Sequence, residues 1–253
     1  MTFKKLFGTA LALSVVAPFA LAEKEEEIDA SDMTRASTTA IVGLSSKGDV
    51  KLTGSLSYAF DNGQTAMTLL EGTIDEDGAY KDARLQYFHV FSFNNATTPR
   101  AAASVDIINN DTFTSVALGG IAMIRTSSDA FTMFARGAVL AGEYNNDSAQ
   151  LKGAGIHLDD TGITGASAAF YAVWKTGEDG TFIAAYPELT YLNGDLEMTS
   201  LKSTLMVSTP LSSDGKTWGQ VKFDRTSTNF EHKNNSLDLA TEKSVWFNYK
   251  VFF

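Results

Sequence analysis

The chain of 253 residues contains no cysteine, which excludes disulfide staples, thiolate metal sites, redox pairs and cysteine nucleophiles. Proline is scarce, at 4 residues, and basic charge is short: 20 Lys and Arg against 30 Asp and Glu give a formal net charge of −10. Chains that neutralise nucleic-acid phosphates carry the opposite surplus, so no nucleic-acid partner is expected. Long apolar runs are also missing. Beyond residue 22 no window reaches the ~18 mainly apolar residues a spanning helix needs. The longest candidates, Thr112 to Ile124 and Thr161 to Trp174, are rich in Gly, Ala, Ser, Thr and β-branched residues, which favour strands. With 44% hydrophobic and 20% charged residues the chain is nonetheless not a disordered one, and it can build one sizeable core.

Residues 1–22 read as a secretory signal peptide. Lys4 and Lys5 form the basic start, Leu6 to Phe19 the apolar stretch, and Ala20-Leu21-Ala22 the small-residue cleavage pattern. The acidic piece from Glu23 to Arg35 shows no apolar periodicity and is expected to be a solvated lead-in, bounded here as 23–37. The folded part is then 38–253.

Turn signals recur through that part, among them Asp61-Asn62-Gly63, Asp75-Glu76-Asp77-Gly78, Asn145-Asn146-Asp147, Asn193-Gly194-Asp195 and Ser212-Ser213-Asp214-Gly215. Asn, Asp and Gly tolerate the left-handed backbone of tight hairpins, so consecutive antiparallel strands are predicted. Twelve segments lie between the turns: 50–60, 64–74, 79–93, 100–108, 112–125, 130–143, 149–159, 165–176, 180–192, 195–209, 216–228 and 242–253. Most exceed the ~5–6 residues of a globular strand and suit a tilted strand crossing a bilayer. Thr38 to Leu44 reads as a further strand or a lead, so ten or fourteen strands stay open. Val50, Leu52, Gly54, Leu56, Tyr58 and Phe60 share one face and Lys51, Thr53, Ser55 and Ser57 the other. Thr112 to Arg125 is apolar on both faces, and periodicity does not orient it. Aromatics near segment ends (Phe60, Phe93, Phe113, Phe131, Tyr144, Trp174, Phe182, Tyr191, Trp218 and Phe253) fall where interfacial girdles are expected.

The last ten residues, SVWFNYKVFF, put Val245, Phe247, Tyr249, Val251 and Phe253 on one face and Asn248 and Lys250 on the other. This resembles the terminal strand of Gram-negative outer-membrane β-barrels. The resemblance implies an all-β fold, a closed antiparallel up-and-down transmembrane β-barrel of about twelve strands. It also implies an outer-membrane location, recognition by the barrel-assembly machinery, escort by periplasmic chaperones and contact with outer-membrane lipid. Closure is physically required, because hydrocarbon offers no partner to an unpaired backbone N–H or C=O.

With apolar faces toward lipid, the opposite faces aim Arg84, Arg136, Lys175, Lys202, Lys222 and Lys250 at the lumen, with Asp82, Asp106, Glu188 and Asp224. A lipid-facing Arg or Lys at the midplane costs about 2–4 kcal/mol, which drives this placement. Arg84, Asp106, Arg136, Lys175, Glu188, Lys202, Lys222, Asp224 and Lys250 are the expected pore-lining set. The function expected is a porin-like channel for passive diffusion of small hydrophilic solutes, its basic bias favouring anions or acidic sugars. With both ends on the periplasmic side, the external connections fall near 61–63, 94–99, 126–129, 160–164, 193–194 and 229–241, and only the last is long. A barrel hydrolase and a non-conducting structural or surface-recognition barrel are the alternatives. The candidate bases are His89 and His157, both expected in strands, and His232, but no nucleophile motif accompanies them, so no catalytic residue, metal or cofactor is assigned.

Overall fold

The computed structural model describes residues 28–233 and 235–253; the signal-peptide reading of 1–22 lies outside them. The turns close as their chemistry requires. Gly63 takes φ +78°, and the Asn62 side-chain oxygen accepts from the Gln64 amide at 3.1 Å. Asp75 Oδ1 accepts from the amides of Asp77 at 3.0 Å and Ala79 at 2.8 Å, with Gly78 at φ +79°. A side chain at either glycine would strain the left-handed backbone that these hairpins use.

Between the turns run β1 (Thr39–Ser45), β2 (Val50–Ala59), β3 (Thr65–Ile74), β4 (Tyr80–Ser92), β5 (Arg100–Asn110), β6 (Phe113–Arg125) and β7 (Phe131–Tyr144). A short helix, α1 (Ala149–Gly153), precedes β8 (Gly162–Lys175), β9 (Phe182–Asn193), β10 (Glu197–Pro210), β11 (Thr217–His232), β12 (Asn235–Asp238) and β13 (Glu242–Phe252). Each strand pairs antiparallel with the next up to β11, and β13 returns to pair with β11 and with β1, from Thr39↔Phe252 to Ser45↔Trp246. The four-residue β12 only prolongs β11 above the wall. The wall is therefore a closed up-and-down barrel of twelve strands, and closure leaves none of them with a free edge.

The twelve are not the expected twelve. Residues 149–159 form no strand: Ser148 caps α1 by accepting from the Leu151 amide at 3.0 Å, and the segment folds over the barrel mouth. Its place in the count is taken by β1, where Thr39, Gly43 and Ser45 turn inward and Val42 and Leu44 outward. Inserting β1 reverses the sense of every strand from β2 to β7. The turns 61–63, 94–99 and 126–129 thus lie at the end carrying both ends of the barrel chain, and the opposite rim is formed by 46–49, 75–79, 111–112, 145–161, 194–196 and 233–241.

Alternation holds along the wall. Leu56, Leu70, Leu118, Val139 and Phe247 stand outward and are more than half exposed, in a continuous apolar belt. A contiguous apolar surface of this extent is what lipid requires and what water would penalise. The belt is edged by exposed Tyr58, Phe60, Phe93, Trp174, Tyr191 and Phe253. Four residues expected in the girdle do not join it: Tyr144, Phe182 and Trp218 are buried inside the barrel, and Phe113 packs on the cluster that holds Tyr144. They belong to two inward apolar clusters, one near each end. The cluster at the rim opposite the chain ends joins Leu151 and Leu158 of the α1 loop to Leu140, Tyr144, Ile163, Leu192, Met198 and Phe230. The cluster at the other end joins Val90, Ile121, Met123, Phe134, Val173, Phe182, Trp218 and Phe252. This explains why β6 is apolar on both faces: its inner Ala117, Ile121 and Met123 pack against these clusters.

Candidate functional site: the charged lumen

Register puts the nine charged residues of the expected set on the strand faces that also carry the buried positions, and they differ in what they touch. Asp106 on β5, its side chain 1% exposed, is the centre of a network. Arg84 on β4 donates to its Oδ1 from Nε at 3.1 Å and Nη2 at 3.0 Å, and Arg136 on β7 donates to Oδ2 from Nη2 at 3.1 Å. Arg136 Nη1 also lies 3.5 Å from Glu188 Oε1 on β9. Such charge-assisted bonds, made in a partly dry interior, fix side chains more firmly than surface pairs do. The four residues thereby clamp one wall of the lumen from β4 to β9.

The opposite wall is wetter. Lys202 Nζ stands 3.4 Å from Asp224 Oδ2, and Asp224 Oδ1 accepts from Thr204 at 2.6 Å. Lys51 on β2 pairs with Glu71 on β3 at 2.9 Å, and Thr53 adds a hydrogen bond to Glu71 at 3.1 Å. Lys222 and Lys250 make no salt bridge among the described residues; the Lys250 ammonium stands 4.2 Å from the centre of the Phe252 ring. Lys175 lies near the chain-end mouth. Asp82, expected inside, accepts from Thr73 at 2.8 Å. Sequence reading placed Lys51 on the polar face of its strand but did not single out Lys51 or Glu71; the cross-strand pairing Glu71↔Thr53 that joins them depends on register.

The lead-in departs most from expectation. Its described part, 28–37, is not solvated: Ser31, Asp32 and Thr34 are buried, and Ile28, Ala30 and Met33 pack on the apolar cluster inside the barrel. Asp32 forms an ion pair with Arg100 of β5, and Asp29 accepts from Lys175 of β8 at 2.9 Å. Burial acts to raise the Asp29 pKa, but the Ser31 hydroxyl and the Lys175 ammonium outweigh it and hold the carboxyl below its ordinary value.

The histidines divide between the two ends of the barrel, with His157 and His232 both near Asp159. His89 faces outward near the chain-end rim, between Phe60 and Phe91, with Gln64 Oε1 2.8 Å from its Nε2. His157 is exposed in the loop after α1, not in a strand as expected. His232 sits at the opposite rim with Nε2 3.9 Å from Asp195 Oδ2. Beside it Lys233 pairs with Asp159 at 3.1 Å, which holds that exposed carboxyl below its ordinary pKa.

No family sequence pattern matches the chain, and no curated protein matches it. Solved structures do. The NanC porin superposes with a TM-score of 0.59 at 10% identity, covering 85% of this chain and 99% of its own. The fold is that of the NanC porin. A structure from work on the in-meso crystallization of membrane proteins matches with a TM-score of 0.53 at 12% identity, over 86% of this chain and 84% of its own. The KdgM porin matches with a TM-score of 0.47 at 9% identity, over 86% and 99%. At these identities the likeness concerns architecture alone, so the solute must be argued from the residues inside this barrel.

Proposed function

We propose that the protein is an outer-membrane channel of Gram-negative type for passive diffusion of small hydrophilic solutes, with a preference for anions such as acidic sugars. The carrying observation is the inward charge. Between and at the rims, Lys51, Arg84, Arg100, Arg125, Arg136, Lys175, Lys202, Lys222 and Lys250 occupy inward positions, against Glu71, Asp82, Asp106, Glu188, Asp224 and Glu242. The strand residues alone carry a positive surplus in a chain whose overall charge is −10, although Asp32 and Asp29 of the lead-in offset Arg100 and Lys175 where they dock. Lys222 and Lys250, with no carboxylate bridged to them, are the side chains best placed to meet a passing anion. Arg84, Lys51, Glu71 and Lys202 keep 24–46% of their side-chain surface exposed although they face inward, so water reaches both walls.

In this reading the chain ends are periplasmic, and the outward face of Val245, Phe247, Tyr249, Val251 and Phe253 serves the barrel-assembly machinery and periplasmic chaperones during insertion. Among the described residues no serine or threonine hydroxyl is hydrogen-bonded to His232, which stands by the Asp195 carboxylate, so the geometry lends the hydrolase reading no positive support. A non-conducting barrel is the second reading, favoured by the apolar clusters at both mouths. Reversal potentials of refolded protein in planar bilayers under a KCl gradient decide between them. Anion-selective current supports the channel, cation selectivity overturns the preference, and silence of folded protein, with the mouths opened by substitution as well, supports the closed barrel.

A further inference from the structure

The described part of the lead-in is folded on itself as well as tied to the wall. Asp29 Oδ1 accepts from the Ser31 amide at 3.1 Å and hydroxyl at 2.5 Å, and Asp32 Oδ1 accepts from the Thr34 amide at 2.9 Å and hydroxyl at 2.6 Å. Backbone bonds from Asp32 N to Asp29 O and from Arg35 N to Asp32 O complete two successive turns. Residues 28–37 add no strand to the barrel. They run from Lys175 on β8, past Arg100 on β5, to Ser55 on β2, whose hydroxyl donates to the Ser37 carbonyl at 2.7 Å. That course lies inside the chain-end mouth along half of the twelve-strand ring, with Met33 to Ala36 against Met67 of β3, Val90 of β4 and Ala102 of β5. A unit whose polar groups are satisfied internally can leave its seat without orphaning its own backbone.

The wall groups it covers tell what else fits there. Arg100 and Lys175 are bridged, among the described residues, only to Asp32 and Asp29. The Asp29–Lys175 pair keeps about a third of each side chain exposed, which makes it an exchangeable contact, whereas Asp32 is 2% exposed and more firmly held. Two carboxylates spaced along a short folded segment have the chemistry of a polycarboxylate solute.

We propose that Arg100 and Lys175 form an anion-binding site at the chain-end mouth, that Asp29 and Asp32 are its built-in occupants, and that a solute carrying several carboxylates displaces the segment and opens the lumen. The opening half of this inference rests on the channel reading; the site itself does not. The segment also carries Arg35, which leaves with it, but the wall still gains two unbridged cations.

Titration calorimetry of the refolded full-length protein with citrate tests the site. If the built-in carboxylates fill it nine-tenths of the time, apparent affinity is reduced about tenfold. D29N/D32N is therefore expected to bind citrate about tenfold more tightly than wild type, and R100Q/K175Q to lose that binding. Gel mobility before and after heating establishes that both variants fold. Equal citrate affinity in wild type and D29N/D32N overturns the proposal, as does binding that survives R100Q/K175Q. Bilayer recording separates the two readings. Citrate raising wild-type current several-fold, and D29N/D32N conducting at the raised level without citrate, supports the whole. Tight citrate binding by a variant that passes no current leaves the site standing and removes the channel. Current indifferent to citrate and to D29N/D32N leaves the channel standing and removes the plug.

Discussion

Replacing Asp106 with Asn keeps the size of the side chain but takes the charge from the centre of the lumen network. Two guanidiniums then face each other with only Glu188 left near one of them. Breaking a buried ion pair from one side typically costs about 3–5 kcal/mol. Arg136 is only 10% exposed and bears that cost, while Arg84, 30% exposed, can turn toward lumen water and sheds part of it. The expected loss is about 3 kcal/mol, at the low end of that range. With a urea slope of about 2 kcal/mol per molar, the unfolding midpoint in lipid vesicles falls by about 1.5 M. Asp214→Asn, at an exposed turn, is the control and shifts stability by less than about 0.5 kcal/mol. D106N should also move the reversal potential further toward the anion, since two cations lose their counter-charge. A midpoint unchanged relative to the control would refute the claim that this network braces the wall.

Leu118→Arg puts a cation on the lipid face and should cost about 2–4 kcal/mol in vesicle refolding, whereas Thr190→Arg, facing the lumen, should cost less than about 1 kcal/mol and alter selectivity instead; equal costs would contradict the assigned faces. Phe134→Ala empties a fully buried site in the inner apolar cluster; about 3–5 kcal/mol of stability should be lost in urea titration while single-channel conductance rises. The pH response follows from Asp29. Its carboxyl is held below the ordinary value of 3.8 while docked, so docking is stabilised above that value, weakens as pH falls below it, and is lost below the docked pKa. Current through wild type should therefore rise below about pH 4, near the ordinary carboxylate range, and D29N should flatten that rise; a rise of equal size in D29N would exclude this residue as its source.

What could be read from sequence was governed by local rules. The two-residue alternation of Val50 to Phe60 gave the faces of β2, and the same alternation puts the nine charged residues on the strand faces opposite the apolar belt. The same rules misassigned 149–159, because a capped five-residue helix and a strand lacking alternation look alike when the deciding contacts, Leu151 and Leu158 on the inner cluster, come from other strands. The lead-in was misread for the same reason. Its apolar Ile28, Ala30 and Met33 have no strand or helix period, and its acids suggested water, while their partner Lys175 lies 146 residues from Asp29. Tyr144, Phe182 and Trp218 show the limit of the girdle argument: an aromatic at a strand end can equally close the mouth from within.

The central claim is that adjacent residues of one strand face water on one side and lipid on the other of a conducting barrel. The absence of native cysteine allows a direct test. Lys222→Cys and Phe223→Cys are neighbours on β11, the first inward and the second 48% exposed on the outer face. An anionic, membrane-impermeant methanethiosulfonate added to open channels in a planar bilayer should modify the cysteine at 222 and reduce the current, and leave the one at 223 unmodified. Modification at 223 in preference to 222, or modification at 222 with no change in current, would contradict the account.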